Sequence, residues 1–568
     1  MKPRSVLGST LLCSLALAAG SSSVSAPTDS DIPHLRRQGT ATQLIVDGKP
    51  FLALAGELSN NSATSLENMK AVWPRLVAQS NLNTVLAGVS WAQIEPQEGK
   101  FDFTVLDGVI REARTHNIRL VLLWFASWKN GLSSYPPLWV KKDFERFPRV
   151  QIAGGKSIEL LSPFGDANRD ADARAFAALM RHVKAVDGRQ HTVIMIQVEN
   201  EVGILGDSRD RCPAANQAYA GPVPKDLMDY LQQHKDTLAP ELRAAWAVGN
   251  FKTSGTWEQI FGPGRPESVP PIPESERATA WHQSWWLVDE IFMAWRYSMY
   301  VNKVAAAGKA EYDIPMYVNT WLQEPQNPQP GNFPSGCSEP EVHDIWRFGA
   351  PNIDFLAPDL YVATFAETSG RFTRNGNPLF IPETRNQMLA KALYAFGRHD
   401  AIGLSVMGIE RSATPDPELI SCYDLLTQLA PLISEHQGQG TMSAVLLGPD
   451  DPPQKVALGN YTLEAAYLRP RVAAGTTSSA QQPLPSAGAI FIAMGPDEYY
   501  LAGSGASVTF SPNIPGPGQA GLGIVEEGKF VNGRWIPGCL LAGDDTGQGK
   551  NISLRNAGIQ RVVLYRYR

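Results

Sequence analysis

The feature that most limits what this chain can fold into lies between residues 50 and 410, where short apolar runs alternate with amphipathic, helix-like segments. The runs are FLALAGE (51–57), NTVLAGVSW (83–91), IRLVLLWF (118–125), TVIMIQVEN (192–200), IPMYVNTW (314–321), IDFLAPDLY (353–361), PLFIPET (378–384) and GLSVMGI (403–409). All are short and rich in β-branched and large apolar residues, as strands buried on both faces must be. Helical patterns such as LDGVIREARTHN (106–117), ARAFAALMRHVKAV (173–186) and LAKALYAFGRH (389–399) lie between them. Eight strand–helix repeats close a (β/α)8 barrel, so the expected class is α/β, a TIM barrel over 27–435 with a long insertion at 204–313. Beyond PLISEHQGQG (431–440) the texture changes to short strand-like runs at 487–495, 499–510, 528–536 and 560–568, with Gly and Pro between them. Val531-Asn532-Gly533-Arg534 is a hairpin signal. Residues 441–568 are therefore expected to form a smaller all-β, sandwich-like domain, with a loop at 473–488.

Charge and termini narrow the function classes. A net charge of -6 offers no basic field for nucleic acid. The first 26 residues read as a secretory signal peptide: Lys2 and Arg4, an apolar stretch from Val6 to Ala19, then Val24-Ser25-Ala26 as a cleavage site. The expectation is an exported protein, periplasmic or secreted, with no membrane association once the leader is removed. Beyond the leader stand Cys212, Cys337, Cys422 and Cys539, with no CxxC pair to suggest structural zinc. Cys212–Cys337 is the first disulfide to test, against the alternative of free buried thiols. The sequence carries no signature of an oligomeric state.

Polar and aromatic residues gather at the C-terminal end of the strand runs, which in such barrels is the face that carries chemistry. Glu57, Trp91, Trp128, Glu199 with Glu201, Asn319 with Trp321, Tyr361, and Glu383 with Arg385 all follow apolar runs. Strand alternation puts Met195, Gln197, Glu199 and Glu201 on one face and Ile194, Ile196 and Val198 on the other, with the mixed face expected to point into the barrel. Carboxylates ending a buried strand need partners or substrate. Glycoside hydrolysis with retention uses two carboxyls about 5 to 5.5 Å apart across the sugar. Glu201 and Glu383 are the best-placed pair; Glu57, Glu95 and Glu410 are weaker candidates. The plain alternative is a salt-bridged barrel rim, with Arg385 as the partner of Glu383.

QVENEVG (197–203) resembles the QVENEYG signature of the glycoside hydrolase family 35 β-galactosidases. GELSNNS (56–62) and SWAQIEPQEGKFDF (90–103) resemble that family's first-strand and post-strand-two segments. The resemblance implies Glu201 as acid/base, Glu383 in IPETRN as nucleophile, and Asn200 as a donor to the sugar's 2-hydroxyl. Tyr361 is expected to hydrogen-bond the nucleophile, and Trp128, Lys129, Asn130, Asn319 and Trp321 to contact the substrate, with Glu57 and Arg385 nearby. This chain departs from the family at Val202, at Ile94-Glu95-Pro96, at FASWKNG (125–131), and in the wide spacing from Glu201 to Glu383. The activity implied is a retaining exo-β-galactosidase removing terminal β-galactosyl units from plant-polysaccharide oligosaccharides, with xyloglucan as one source. The chemistry needs no cofactor, and no tight His/Asp cluster points to a metal. Two alternatives stand beside it: another retaining β-glycosidase or endo-glucanase on the same barrel, and a non-catalytic carbohydrate-binding barrel.

Overall fold

The computed structural model describes residues 32–78, 81–266, 286–324, 328–385, 388–411, 416–469 and 484–568. The leader expected at 1–26 and most of the loop expected at 473–488 fall outside them.

A small antiparallel sheet comes first: β1 (His34–Gln38), β2 (Ala41–Val46) and β3 (Lys49–Pro50). The barrel follows with β4 (Ala53–Glu57), β5 (Thr84–Ser90) and β6 (Arg119–Lys129). A hairpin, β7 (Arg149–Ile152) and β8 (Lys156–Leu161), intervenes before β9 (Val193–Asn200). The remaining staves are β10 (Met316–Trp321), β11 (Phe355–Leu360), β12 (Phe380–Ile381) with β13 (Glu383–Thr384), and β14 (Gly403–Met407). All eight expected runs are strands, and neighbouring staves pair in parallel. The seventh stave is split because Pro382 has no N–H to give the ladder. Its first piece pairs with β14 and its second with β11, and β14 pairs back onto β4, which closes the ring.

A helix follows each stave: α1 (Leu66–Ala78), α2 (Thr104–Thr115), α3 (Asp166–Asp187), α4 (Leu287–Lys309), α5 (His343–Gly349), α6 (Phe365–Phe372), α7 (Met388–His399) and α8 (Pro417–His436). α4 packs beside α3 in the outer ring. It is therefore the barrel's own crossover helix rather than part of the expected insertion, which ends before it. What remains of that insertion contributes short helices at Pro213–Ala220, Lys225–Gln233, Pro240–Val248 and Trp257–Phe261.

Two apolar layers hold the barrel. Ala53, Leu86, Val121, Leu123, Phe125, Met195, Tyr317, Phe355 and Phe380 fill its interior, with Leu44 and Val46 of β2 added from the N-terminal sheet; Ile194, expected on the outer face, joins them where the register of β9 against β6 slips. Residues of the opposite parity, such as Leu120, Leu122, Trp124, Ile196 and Val198, join the helices outside. This is strand alternation expressed as two separate cores.

C-terminal to α8, the strands β15 (Met442–Leu447), β16 (Gln454–Leu458), β17 (Tyr461–Tyr467), β18 (Ala487–Ala493), β19 (Glu498–Ser504) and β20 (Ala506–Pro512) are followed by β21 (Gln519–Val531), β22 (Arg534–Leu540), β23 (Ile552–Leu554) and β24 (Gly558–Tyr567). They form a six-stranded sheet, β15-β18-β19-β24-β21-β22, and a four-stranded one, β16-β17-β20-β23, around their own apolar core. The expected hairpin is present, with Val531 paired to Arg534 and both turn residues at positive φ. The outer face of the larger sheet lies on α7. A Cβ at Gly488 would stand 2.5 Å from the Ala390 Cα, so only glycine lets sheet and helix approach this closely.

Candidate active site

Chain register sets the site. β11 and β13 align Asp359 beside Glu383, β10 and β11 align Trp321 beside Asp359, and β14 and β4 align Met407 beside Glu57. In parallel strands such partners point the same way at the same height, so the inward side chains at the strand ends converge. One carboxyl oxygen each of Glu201, Asp359 and Glu383 lies within 4.8 Å of the others. The two acids named from sequence therefore meet, one carboxyl oxygen of each within 4.8 Å of the other.

Each carboxyl is held from a different side. Asn130 donates its side-chain amide to Glu201. The Asn319 side-chain oxygen accepts from the Glu201 N–H at 3.0 Å, and its amide donates to Asp359 at 2.7 Å. The Tyr361 hydroxyl donates to Glu383 at 2.8 Å. Lys129 donates to the Asn200 side-chain oxygen at 2.9 Å, which leaves the Asn200 amide buried without a partner among the described residues. A cleft of about 380 Å³ opens over this group, lined by Glu201, Glu383, Asp359, Lys129, Asn130 and Trp321, with Asn60, Tyr361, Arg385 and Arg411 around its rim.

Burial and like charge dominate the electrostatics. The Glu201 carboxyl is pushed up to about 7, first by burial and then by the Glu383 carboxylate, against the pull of Lys129. Burial, then Glu383 and Glu201, hold Asp359 well above the usual carboxylate range. Glu57 is likewise raised, by burial first and Glu383 second, and neither of its oxygens has a hydrogen-bond partner among the described residues. Both influences favour its protonated form. A hard divalent cation could be held by three such oxygens. Here each carboxyl already has its own donor, and two of them favour the protonated form, which fits acid–base chemistry better than a cation cage.

Several expectations need correction. Glu199 does not share a face with Glu201. Its backbone is left-handed (φ 62°), as is that of Glu201 (φ 45°), so alternation fails at the strand end. Such conformations cost on the order of 1–3 kcal/mol each and persist only where the surroundings impose them. The Glu199 carboxyl turns outward and accepts the backbone N–H groups of Ser127 and Trp128 at 3.2 and 2.8 Å, beside Asp172 of α3. Trp128 is fully buried in the outer core, with its indole N–H on the Leu161 carbonyl and its ring against Tyr297 and Tyr300. It does not line the cleft over Glu201 and Glu383. Asn319, Asn200 and Glu57 are buried and do not themselves line the cleft, and the Asn200 side-chain amide next to it is left without a partner among the described residues. Arg385 stacks over the Tyr361 ring, 4.8 Å from its centre, instead of pairing with Glu383. Glu95 accepts from Trp91 and Gly99, and Glu410 from Ser59 and Ser62, so both are structural. All four described cysteines are free, Cys212 and Cys337 among them. Asp359 is the residue the sequence reading missed. It lies on the inward parity of β11 with Phe355 and Ala357, and that parity was the available signal.

A family model described as β-galactosidase, that of glycoside hydrolase family 42, matches residues 67–385. A second model, a domain of unknown function (DUF5597), matches residues 419–553. The matched catalytic family is thus family 42, whereas the motifs resemble family 35. The β-galactosidase of Xanthomonas manihotis is 29% identical over 207 residues, a stretch covering 35% of this chain and 30% of that protein. Among solved structures, the β-galactosidase of Bacillus circulans sp. alkalophilus aligns with a TM-score of 0.43 at 16% identity, over 67% of this chain and 57% of that one. The catalytic domain of a β-amylase from Paenibacillus polymyxa aligns with a TM-score of 0.45 at 11% identity, over 64% of this chain and 95% of that one.

Proposed function

The chain belongs to the glycoside hydrolase family 42 β-galactosidase family, whose model spans more than half of it, and we propose that it is a retaining β-galactosidase acting through Glu201 and Glu383. The observation that carries this reading is the approach of those two carboxyls to within 4.8 Å at the mouth of a closed barrel. Glu383 attacks the anomeric carbon while Glu201 gives its proton to the leaving oxygen, so the C–O bond breaks to an alcohol and a glycosyl ester. Glu201 then takes a proton from water, which attacks the anomeric carbon and restores the Glu383 carboxylate. The Asn200 amide, buried and free of a partner among the described residues, supplies a donor for a sugar hydroxyl. The family-35-like segments, which carry Glu57, Asn200 and Glu201, support the same division of roles here.

Exo action is supported by the size of the cleft, about 380 Å³, near the lower end of the roughly 300–1,000 Å³ typical of small-ligand sites. Terminal β-galactosyl units of plant-polysaccharide oligosaccharides, xyloglucan fragments first, are the substrates to test; this part rests on the motif resemblance. Export to the periplasm or medium rests on the leader-like composition of residues 1–26. The test is a panel of aryl β-glycosides with wild type beside Glu383→Ala. Turnover of the galactoside by wild type, lost in the variant, supports the reading; equal rates for both proteins overturn it.

A further inference from the structure

The two-carboxyl mechanism uses Glu201 and Glu383, yet a third acid reaches the same point. Asp359 stands next to Glu383 in the strand register and lines the cleft. One of its oxygens accepts from Asn319 at 2.7 Å; the other is buried and has no conventional donor among the described residues. What it meets is the Glu201 carboxyl, within hydrogen-bonding reach. Two carboxylates cannot hydrogen-bond each other, so the contact is satisfied only when one of the two carries a proton. Asn319 fixes both partners at once, through the Glu201 N–H and the Asp359 carboxyl.

Building on the proposed acid/base role of Glu201, we propose that Asp359 is a positioning residue that shares one proton with Glu201 and keeps that acid loaded between turnovers. In the first step the shared proton goes from Glu201 to the leaving oxygen. In the second, the proton taken from water by Glu201 refills the Glu201–Asp359 pair, so each cycle returns the same single proton.

The titratable and charged groups around the pair are Glu383 on β13, Glu57 on β4, Lys129 on β6, Tyr317 on β10, Tyr361 just past β11, the Cys337 thiol, and Arg385 and Arg411 of the cleft. Removing the last proton from the wild-type pair leaves two adjacent anions, whereas in Asp359→Asn it leaves one. The alkaline limb of the kcat/KM profile therefore moves to lower pH in that variant. The asparagine still accepts from Asn319, so if Asp359 keeps a proton of its own throughout and shares none, its replacement gives a uniform loss of rate and an unmoved limb.

The experiment is a kcat/KM–pH profile on an alkyl β-galactoside, whose leaving group needs protonation, for wild type, Asp359→Asn, Asp359→Glu and Glu201→Gln. A downward shift of about one pH unit in Asp359→Asn, reversed in Asp359→Glu, supports the proposal. An alkaline limb that coincides with wild type in Asp359→Asn overturns it, while wild-type turnover and a dead Glu201→Gln leave the β-galactosidase reading standing. If wild type itself turns over no glycoside, the parent reading has failed instead. Should Asp359→Asn not fold, the Glu201 carboxyl titration followed by carbon-13 NMR in wild type and Asp359→Glu decides. Glu201 and Asp359 carboxyl signals that follow the same two steps support the shared proton, and a Glu201 step in which the Asp359 signal takes no part refutes it.

Discussion

Replacing Tyr361 by Phe isolates one hydrogen bond to the nucleophile and leaves the rest of the rim in place. The hydroxyl donates to Glu383 at 2.8 Å, while the ring, under the Arg385 guanidinium, is retained by phenylalanine. A hydrogen bond to a charged acceptor contributes about 1.5–3 kcal/mol. Tyr361 is 39% exposed, so water partly replaces the lost donor and the lower end applies. At about 1.4 kcal/mol per tenfold change, the expected effect is roughly tenfold. Its direction is specific. In the proposed double displacement the Glu383 carboxylate becomes a neutral glycosyl ester and is then released, so the bond favours the step that regenerates the anion. Breakdown of the glycosyl-enzyme should slow while its formation is spared. With an aryl galactoside bearing a good leaving group, stopped-flow should then show a burst of phenol equal to the enzyme concentration, followed by a steady rate about tenfold below wild type. A slow steady rate with no burst, or no change at all, would refute the assigned contact.

Other substitutions test separate links. Glu201→Gln should abolish turnover of alkyl galactosides but spare the burst with the best aryl leaving groups, as quenched-flow would show. The same variant should be more stable than wild type above pH 7. The Glu201 carboxyl is raised from 4.5 to about 7, so the folded state binds its proton more tightly than the unfolded chain does. Stability from this group is full below about pH 4.5 and falls as the pH rises to about 7, by at most about 3 kcal/mol; thermal melts at pH 5 and pH 8 compare the two proteins. Trp128→Ala should cost about 3–5 kcal/mol of stability with KM unchanged in whatever protein folds, since the ring is core and not subsite. Trp321→Ala should do the reverse, raising KM in steady-state assays with little change in melting temperature.

The barrel was legible because its signal is redundant: eight apolar runs each had to be buried on both faces, and each became a stave. The split seventh stave was also written in the chain, since Pro382 cannot donate to a ladder. Strand parity was the under-used signal. Leu120, Leu122 and Trp124 set the outward phase of β6, which carries Trp128 into the outer core, and Phe355 and Ala357 set the inward phase of β11, which carries Asp359 into the site. The reversal at Glu199 was not legible. A left-handed glutamate is imposed by two backbone N–H groups on β6 and by Asp172 on α3, contacts that exist only after those elements pack. The free thiols follow from the same cause: Cys212 is drawn into a polar cluster with Ser162 and Asp210, and Cys337 packs against the Trp321 carbonyl.

Trapping the intermediate addresses the core of the account most directly. Incubation with a 2-deoxy-2-fluoro-β-galactosyl fluoride, whose electron-poor ring slows breakdown of the ester, should load one sugar per chain. Mass spectrometry of the digested protein should place it on Glu383. A label on Asp359, Glu201 or any other carboxyl, or full activity with no label at all, would contradict the account.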